Sequence, residues 1–520
     1  MIDKFLNNRF FILYFSPLIL GSLSVFSFQP FNLTIINFFI LPLLFYLIVH
    51  IKKKSKNVYR KKPYKQNLFI FGTLFGFGFY FSGIHWITNS LTFDDSFKAL
   101  IPLGLIFIPL FLSLFFSILI LIIGPFLNLN FASVLLFSAS LSFSDFLRSK
   151  VLSGFPWNLW AYSFSWATEV LQILNKVGLF AFNLITITIF ILPVIIFFNI
   201  NLKRKLFSLL ILPLMLTFLF LYGDHSINSN KSSMTFDDNI INVKVISPNF
   251  ELEYGLSENQ IENRLNKLIR YSDPQKNKQT IFIWPEGVFS GYSYNELTKF
   301  KQKFASKFNK NHLIVFGVNR LDVNKNSYYN SLVVVDNNFE ILREYNKIKL
   351  VPFGEFLPFE EKLKKIGFKK ITEGHGSFLK GKEQKNLVIG KLNILPLICY
   401  EIIFTEFVQN SDPQTNLIIN ISEDGWFGNS IGPYQHYSKS IFRAIEQNTY
   451  LIRSTNKGVS LIMNNKGQII KRLERLEAGN IELQVPLIGT NNKNKNDLIF
   501  FILLFTYILL FKIYEKNNVK

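Results

Sequence analysis

Three short segments carry the residue types of a nucleophilic acyl-transfer site. The chain's one cysteine, Cys399, ends the apolar run ILPLIC and is followed at once by Tyr400 and Glu401. Glu286 ends IFIWPE, while Lys347 and Glu355 lie in REYNKIKLVPFGEF. A lone thiol forms no intramolecular disulfide, so a scaffolding role is excluded. Two readings are left for it, a small buried hydrophobe and a nucleophile. Taken singly, Glu286 reads as a solvated loop acid and Lys347 as a surface lysine beside Lys349. Taken together, they supply what a thiol needs. A carboxylate can take the thiol proton, and Lys347 with the backbone N–H of Tyr400 can face the oxyanion that develops during acyl transfer. His436 and the five other histidines are scattered without metal-ligand spacing, so no metal or other cofactor is expected.

These residues need strand ends to hold them. From residue 223 to 496 the composition is that of a soluble domain large enough for its own core. Short β-branched runs predict strands at 240–246, 280–284, 312–318, 331–336, 393–399 and 416–422. Helical patterns over 259–271 and 297–308 lie between some of them, which argues α/β. The hairpin-like SLVVVDNNFEILREY adds antiparallel pairing and predicts a mixed sheet. Glu286 and Cys399 then fall where α/β enzymes keep their chemistry, at the carboxyl ends of strands.

The rest of the chain reads as membrane. Mean hydropathy is +0.25, hydrophobic residues make up 49%, and Phe alone accounts for 59 positions. Seven apolar runs fill residues 1–222: 10–28, 33–51, 68–87, 99–124, 126–144, 177–200 and 206–222. Each approaches or exceeds the roughly 20 helical residues a bilayer core requires. An eighth run begins at Leu498, so that 497–520 reads as a last span with a short tail. The net charge of +21 comes from basic residues beside these runs, which fits lipid headgroups and topology signals rather than nucleic acid. Lys4 and Arg9, the eight basic residues between 52 and 65, and Lys203–Lys205 all fall on one side if the spans alternate. The positive-inside rule makes that side cytoplasmic and turns the 223–496 domain outward, with both termini inside. The loop SGFPWNLWAYS, carrying Trp157 and Trp160, falls on the outer side. It reads either as an interfacial aromatic belt or as the lining of a lateral entrance for lipid tails.

WPE, the lysine turn and CYE resemble the Glu-Lys-Cys motifs of the nitrilase superfamily, and the whole chain resembles the bacterial apolipoprotein N-acyltransferases. Further matching segments are FQPFN, GFGFYFSGIHWI, FLRSKVLSGFPWNLWAYS, SEDGWFGNSIGPYQH and LIRSTNKGVS, in the family's order from about residue 20 to 470. The resemblance implies a multi-span α-helical membrane domain joined to an α/β nitrilase-like domain, an α-β-β-α sandwich with mixed sheets. It implies Glu286 as general base, Lys347 as oxyanion-stabilising cation and Cys399 as nucleophile, with Glu355, Tyr400 and Glu401 in support. Tyr254 and Trp426 are implied at the substrate. Two positions depart from the family pattern: Glu423 replaces the Asn of a usual Ser-Asn-Asp, and Tyr254 stands where a Trp is expected.

The implied reaction passes an acyl chain from a phospholipid, phosphatidylethanolamine in the first instance, through a Cys399 thioester to the α-amine of a diacylglyceryl-modified cysteine on an apolipoprotein. The resemblance further implies a monomer in the inner membrane with its catalytic domain facing the periplasm. A membrane-anchored amidase of nitrilase type would use the same three residues, but seven spans exceed what an anchor needs. A non-enzymatic scaffold would leave the three residues unexplained.

Overall fold

Long apolar runs between turn-forming asparagines and prolines become helices, because only a helix satisfies its own backbone in hydrocarbon. The computed structural model describes residues 8–56, 64–233, 239–365, 377–489 and 496–519. Among these, seven helices are long and apolar enough to cross a membrane: Thr34–Lys54, Tyr64–Thr92, Asp95–Phe126, Phe131–Lys150, Leu179–Phe197, Leu202–Ser229 and Asp497–Lys516. The first apolar run forms a shorter helix, Phe11–Ser27, where eight full spans were expected. That short helix crosses the Tyr64–Ile84 helix at close range. A Cβ on Gly21 would stand 2.1 Å from the Phe75 carbonyl oxygen, and one on Gly78 would stand 2.3 Å from that of Leu18. Glycine is what lets the two backbones meet.

The fifth span differs from its expected limits at both ends. It starts at Phe131, because the Asn130 side chain caps it by accepting from the Ser133 N–H at 2.9 Å. It runs on through Asp145 and Arg148 to Lys150, where a loop was expected. The two charges are tolerated because they pair at 2.8 Å inside the helical unit, and Asn183 donates to the other Asp145 oxygen at 3.0 Å. The 145–176 stretch is interior in another respect. Trp157 and Trp160, read as an interfacial belt or as the lining of an entrance for lipid tails, are 1% and 0% exposed. Trp157 packs on Trp86 and Phe155, and Trp160 on Phe79. They are interior rather than rim residues, since aromatic neighbours close over them. Lys52, from the basic segment, is also buried and donates to the Leu127 carbonyl at 2.7 Å, a cation at a helix C-terminus.

The chain divides into two compact units. One comprises Met1–Thr88, Lys98–Asn228 and Asn494–Lys520; the other comprises Asn89–Phe97 and Ser229–Lys493. The described residues of the second, α/β unit form twelve strands: β1 (Ile240–Ser247), β2 (Thr280–Ile283), β3 (His312–Asp322), β4 (Ser327–Val335), β5 (Ile341–Asn346), β6 (Leu387–Ile389), β7 (Leu392–Ile398), β8 (Leu417–Glu423), β9 (Leu451–Asn456), β10 (Ser460–Met463), β11 (Ile469–Leu473) and β12 (Gly479–Pro486). They form two six-stranded sheets, ordered β12-β1-β2-β3-β4-β5 and β11-β10-β9-β8-β7-β6. Both are mixed: β1, β2 and β3 run parallel, as do β7, β8 and β9, and the outer pairs are antiparallel.

One layer of core lies between the sheets, with Val243, Ile283 and Val315 of the first joined to Ile394, Ile419 and Ile452 of the second. A second layer covers the outer face of the first sheet. There Ile261, Leu265 and Leu268 of the helix Glu258–Ser272 meet Phe282 and Trp284. The helix Gly432–Gln447 lies against β9 and the turn after β7 on the other side. The result is the α-β-β-α sandwich, a helix layer on each outer face of two sheets packed face to face. Its parallel strands all carry their carboxyl ends toward the candidate residues.

Candidate active site

Each proposed catalytic residue sits just beyond a strand. Glu286 follows β2 by three residues, Lys347 directly follows β5, and Cys399 directly follows β7. The structure brings Glu286, Lys347 and Glu355 into one buried polar network with Asn330. Lys347 is 1% exposed, with its ammonium 2.9 Å from Glu355 Oε1 and 3.3 Å from Glu286 Oε1. Asn330 donates to the same two oxygens, at 2.7 Å each. The second Glu286 oxygen accepts from the Glu423 N–H at 3.1 Å, and the second Glu355 oxygen from the Val351 N–H at 2.8 Å. Burial works against the Lys347 charge, but Glu286 and Glu355 outweigh it and hold the ammonium above its ordinary value. The lysine is therefore a permanent cation.

Cys399 is partly exposed and adopts φ 48°, a left-handed backbone rare for a residue with a Cβ. Such a conformation costs of order 1–3 kcal/mol and persists only where surrounding bonds impose it. Burial, and then the charge of Glu286, push the thiol above its usual value; Lys347 and the nearby Ser422 hydroxyl pull it back. At neutral pH the resting group is the thiol, so attack requires a base at the moment of reaction.

Glu401 ties the lysine turn to the cysteine turn. Its Oε1 accepts from Tyr345 Oη at 2.8 Å and from the Ile348 and Lys349 N–H groups at 2.7 and 3.1 Å; its Oε2 accepts from the Ile398 N–H at 2.9 Å. Burial pushes its carboxyl up to about 7 against those donors. Its place is structural, behind the reacting groups. The Tyr400 ring is likewise buried, edge-on to Phe404 at 5.1 Å.

A cavity of about 140 Å³ opens beside the network, walled by Glu286, Glu355, Glu423, Arg264, Tyr254 and Trp426 among others. Tyr254 and Trp426 face each other across it at 6.2 Å, and Phe93 from the Asn89–Phe97 segment stands against Trp426 at 5.2 Å. Asn89 holds that segment by donating to the Phe427 carbonyl at 2.7 Å. The lining mixes aromatic residues with five glutamates, and Cys399 is not part of it.

Comparison with known proteins agrees with this architecture. An apolipoprotein N-acyltransferase from Rickettsia typhi is 32% identical over 509 residues, covering 94% of this chain and 97% of that one. The chain belongs to the apolipoprotein N-acyltransferase family. The family's N-terminal domain model matches residues 20–192, and a carbon-nitrogen hydrolase model matches 254–492, within the α/β unit. Relatives bearing the same name from Bradyrhizobium diazoefficiens and Rhodopseudomonas palustris are 30% and 29% identical, covering 90% and 88% of this chain and 88% and 86% of theirs.

In this apolipoprotein N-acyltransferase family member, two features near the site were not assigned from the sequence. Asn330 is one polar residue within a strand, and only the fold brings it between two carboxylates. Asp424, His436 and Arg453 form a fully buried cluster, with Asp424 2.9 Å from each of the other two. Burial opposes the Asp424 charge, yet Arg453 and His436 bring its carboxyl down to about 2. Their segments were legible as family-like, but their mutual contact was not.

Glu423, the departure from the family's Asn, is 5% exposed on the cavity wall. Its carboxylate accepts from the Gly425 N–H and the Asn456 amide at 2.8 Å each. Burial, with Glu286 and Asp424 adding to it, pushes this carboxyl up to about 8 despite those donors. The unfolded value is near 4.3, so between about pH 4 and 8 the folded chain holds a proton the unfolded chain has lost. Stability is present below that window and falls through it, by about 1.4 kcal/mol per pH unit for one such group. Glu423→Gln should flatten the melting temperature of the full-length protein between pH 5 and 8 and raise it at pH 8. Parallel wild-type and variant curves would refute the protonated assignment.

Proposed function

We propose that the chain transfers a fatty acyl group from a phospholipid, phosphatidylethanolamine in the first instance, to the α-amine of a diacylglyceryl cysteine on apolipoproteins. A Glu286–Lys347–Cys399 triad carries the reaction through a thioester. The supporting observation is the buried Lys347 cation gripped by Glu286 and Glu355, beside a cysteine held in a left-handed turn at a strand end. In the first half-reaction Glu286 takes the Cys399 proton as sulfur attacks the ester carbonyl. Lys347 and the Tyr400 N–H stabilise the oxyanion. Collapse expels the lysophospholipid alkoxide, which takes the proton from Glu286 and leaves the acyl thioester. In the second half-reaction the free α-amine attacks the thioester and passes a proton to Glu286. The thiolate leaves and recovers that proton.

Both substrates carry lipid chains, so an enzyme anchored by apolar membrane-spanning helices meets them by lateral diffusion. Transfer requires that water be kept from the thioester, whose hydrolysis would waste the acyl group. The basic residues beside the spans support an orientation in the cytoplasmic membrane with the α/β unit outward. One chain carries all three groups in one unit, which supports action as a monomer. Depletion of the protein from its host should leave lipoprotein N-termini with two acyl chains instead of three. Complementation with the Cys399→Ala variant should fail to restore the third, as read by mass spectrometry of N-terminal peptides. Fully triacylated lipoproteins under depletion, or restored by that variant, would overturn the proposal.

A further inference from the structure

The buried His436 is unused by the mechanism above, and it touches the nucleophile's own peptide. Its Nε2 lies 3.3 Å from the Cys399 carbonyl oxygen, and the ring is 0% exposed. A carbonyl only accepts, so this contact requires the proton on Nε2. On its other side Nδ1 lies 3.0 Å from Arg453 Nη2 and 2.9 Å from Asp424 Oδ1. Arg453 Nη2 also reaches both Asp424 oxygens, at 3.2 and 2.9 Å, and the guanidinium donates to Asn420 Oδ1 as well. Asp424 is an ionised carboxylate that only accepts, so Nδ1–H donates to it, and both ring nitrogens face acceptors, Asp424 on one side and the Cys399 carbonyl on the other. Burial and the Arg453 charge oppose the charged ring and hold His436 below its ordinary value, while Asp424 and the Cys399 carbonyl favour the doubly protonated form that donates on both sides. Asp424 is fixed in turn by the Ser422 hydroxyl at 2.7 Å, and the Phe427 ring stands edge-on to the imidazole at 5.2 Å.

The Cys399–Tyr400 peptide is planar and trans, so its carbonyl and its N–H point to opposite sides. We infer that His436 is a positioning residue for the oxyanion donor: by holding the Cys399 carbonyl it sets the plane of this peptide and therefore the direction of the Tyr400 N–H. The inference rests on the Cys399 nucleophile and the Tyr400 donor proposed above, and it assigns the Asp424–Arg453 cluster the task of holding the ring against the Cys399 carbonyl. His436 touches no reacting atom.

Two reactions of the same thiol separate this role from general support of the fold. Acylation by phospholipid passes through an oxyanion, whereas alkylation by iodoacetamide displaces iodide at a saturated carbon and forms none. Full-length protein in phosphatidylethanolamine mixed micelles would be assayed for acyl-enzyme mass and for alkylation rate. His436→Asn keeps an amide near the position of Nδ1 and loses the bond to Cys399; it should slow acylation by about 10- to 10²-fold, below the loss for deleting a donor outright. Alkylation should stay within about twofold. His436→Gln places an amide nitrogen near the position of Nε2 and should recover most of the acylation rate. Wild-type acylation by His436→Asn, or equal loss of both reactions, overturns the inference. If His436→Asn does not fold, His436→Gln decides: normal alkylation with slow acylation would overturn it. Cys399→Ala in the same assay guards the underlying reading, because acyl-enzyme formed without the thiol would refute the nucleophile and leave the His436 result without bearing on it.

Discussion

Cys399→Ser should form no measurable acyl-enzyme, a loss of about 10⁴-fold or more, comparable to deleting the nucleophile from other acyl-transfer enzymes. The substitution is nearly isosteric and Cys399 is only partly buried, so the melting temperature should hardly move. The loss follows from proton affinity. Burial and Glu286 already push the thiol upward, and Lys347 only partly offsets them. A carboxylate that can take a proton from sulfur in that setting cannot take one from a far less acidic alcohol. Glu286→Gln should stop the same step from the other side, since the amide accepts no proton. Intact-protein mass spectrometry after exposure to phospholipid reads both variants directly. Acyl-enzyme on Cys399→Ser at a rate near wild type would remove the nucleophile assignment. Normal acylation of Glu286→Gln would remove the base.

Much of the fold was legible because its signals are local. The strands β1, β2, β3, β4, β7 and β8 coincide with the β-branched runs to within a few residues, and the helix Glu258–Ser272 matches its periodic pattern. The strands β9 to β12 escaped notice because they are short or polar. LIRSTN and IIKRL owe their strand state to neighbours in a sheet rather than to their own composition. Seven of the eight expected membrane spans were legible from hydropathy, while the first run forms only the short helix Phe11–Ser27; charge misled at the end of the fifth, where Asp145 and Arg148 read as the start of a loop because their pairing is visible only in three dimensions. Trp157 and Trp160 misled in the opposite way. Aromatic residues beside a span suggest an interface, and nothing in SGFPWNLWAYS discloses that Phe79, Trp86 and Phe155 will enclose them. Of the site, the three proposed catalytic residues and Glu355 were readable as motifs, whereas Asn330 and the Asp424–His436–Arg453 cluster depend on distant segments meeting.

Lys347→Met should lose acylation by about 10²-fold or more and also lower the melting temperature, and the two losses have separable causes. The catalytic loss is that of a cation facing the oxyanion. The stability loss arises because Glu286 and Glu355 would remain buried, both within hydrogen-bonding distance of Asn330, without the charge that balances them. Removing one partner of a buried ion pair costs about 3–5 kcal/mol, most of it the penalty of the charge left behind. Neutralising one carboxylate should relieve that penalty without restoring a cation. The double variant Lys347→Met/Glu355→Gln is therefore expected to regain most of the lost melting temperature and none of the lost acylation. A fully stable single variant would mean that the carboxylates do not depend on Lys347. Recovered acylation in the double variant would mean that the lysine acts by restraining Glu355 rather than by stabilising the oxyanion.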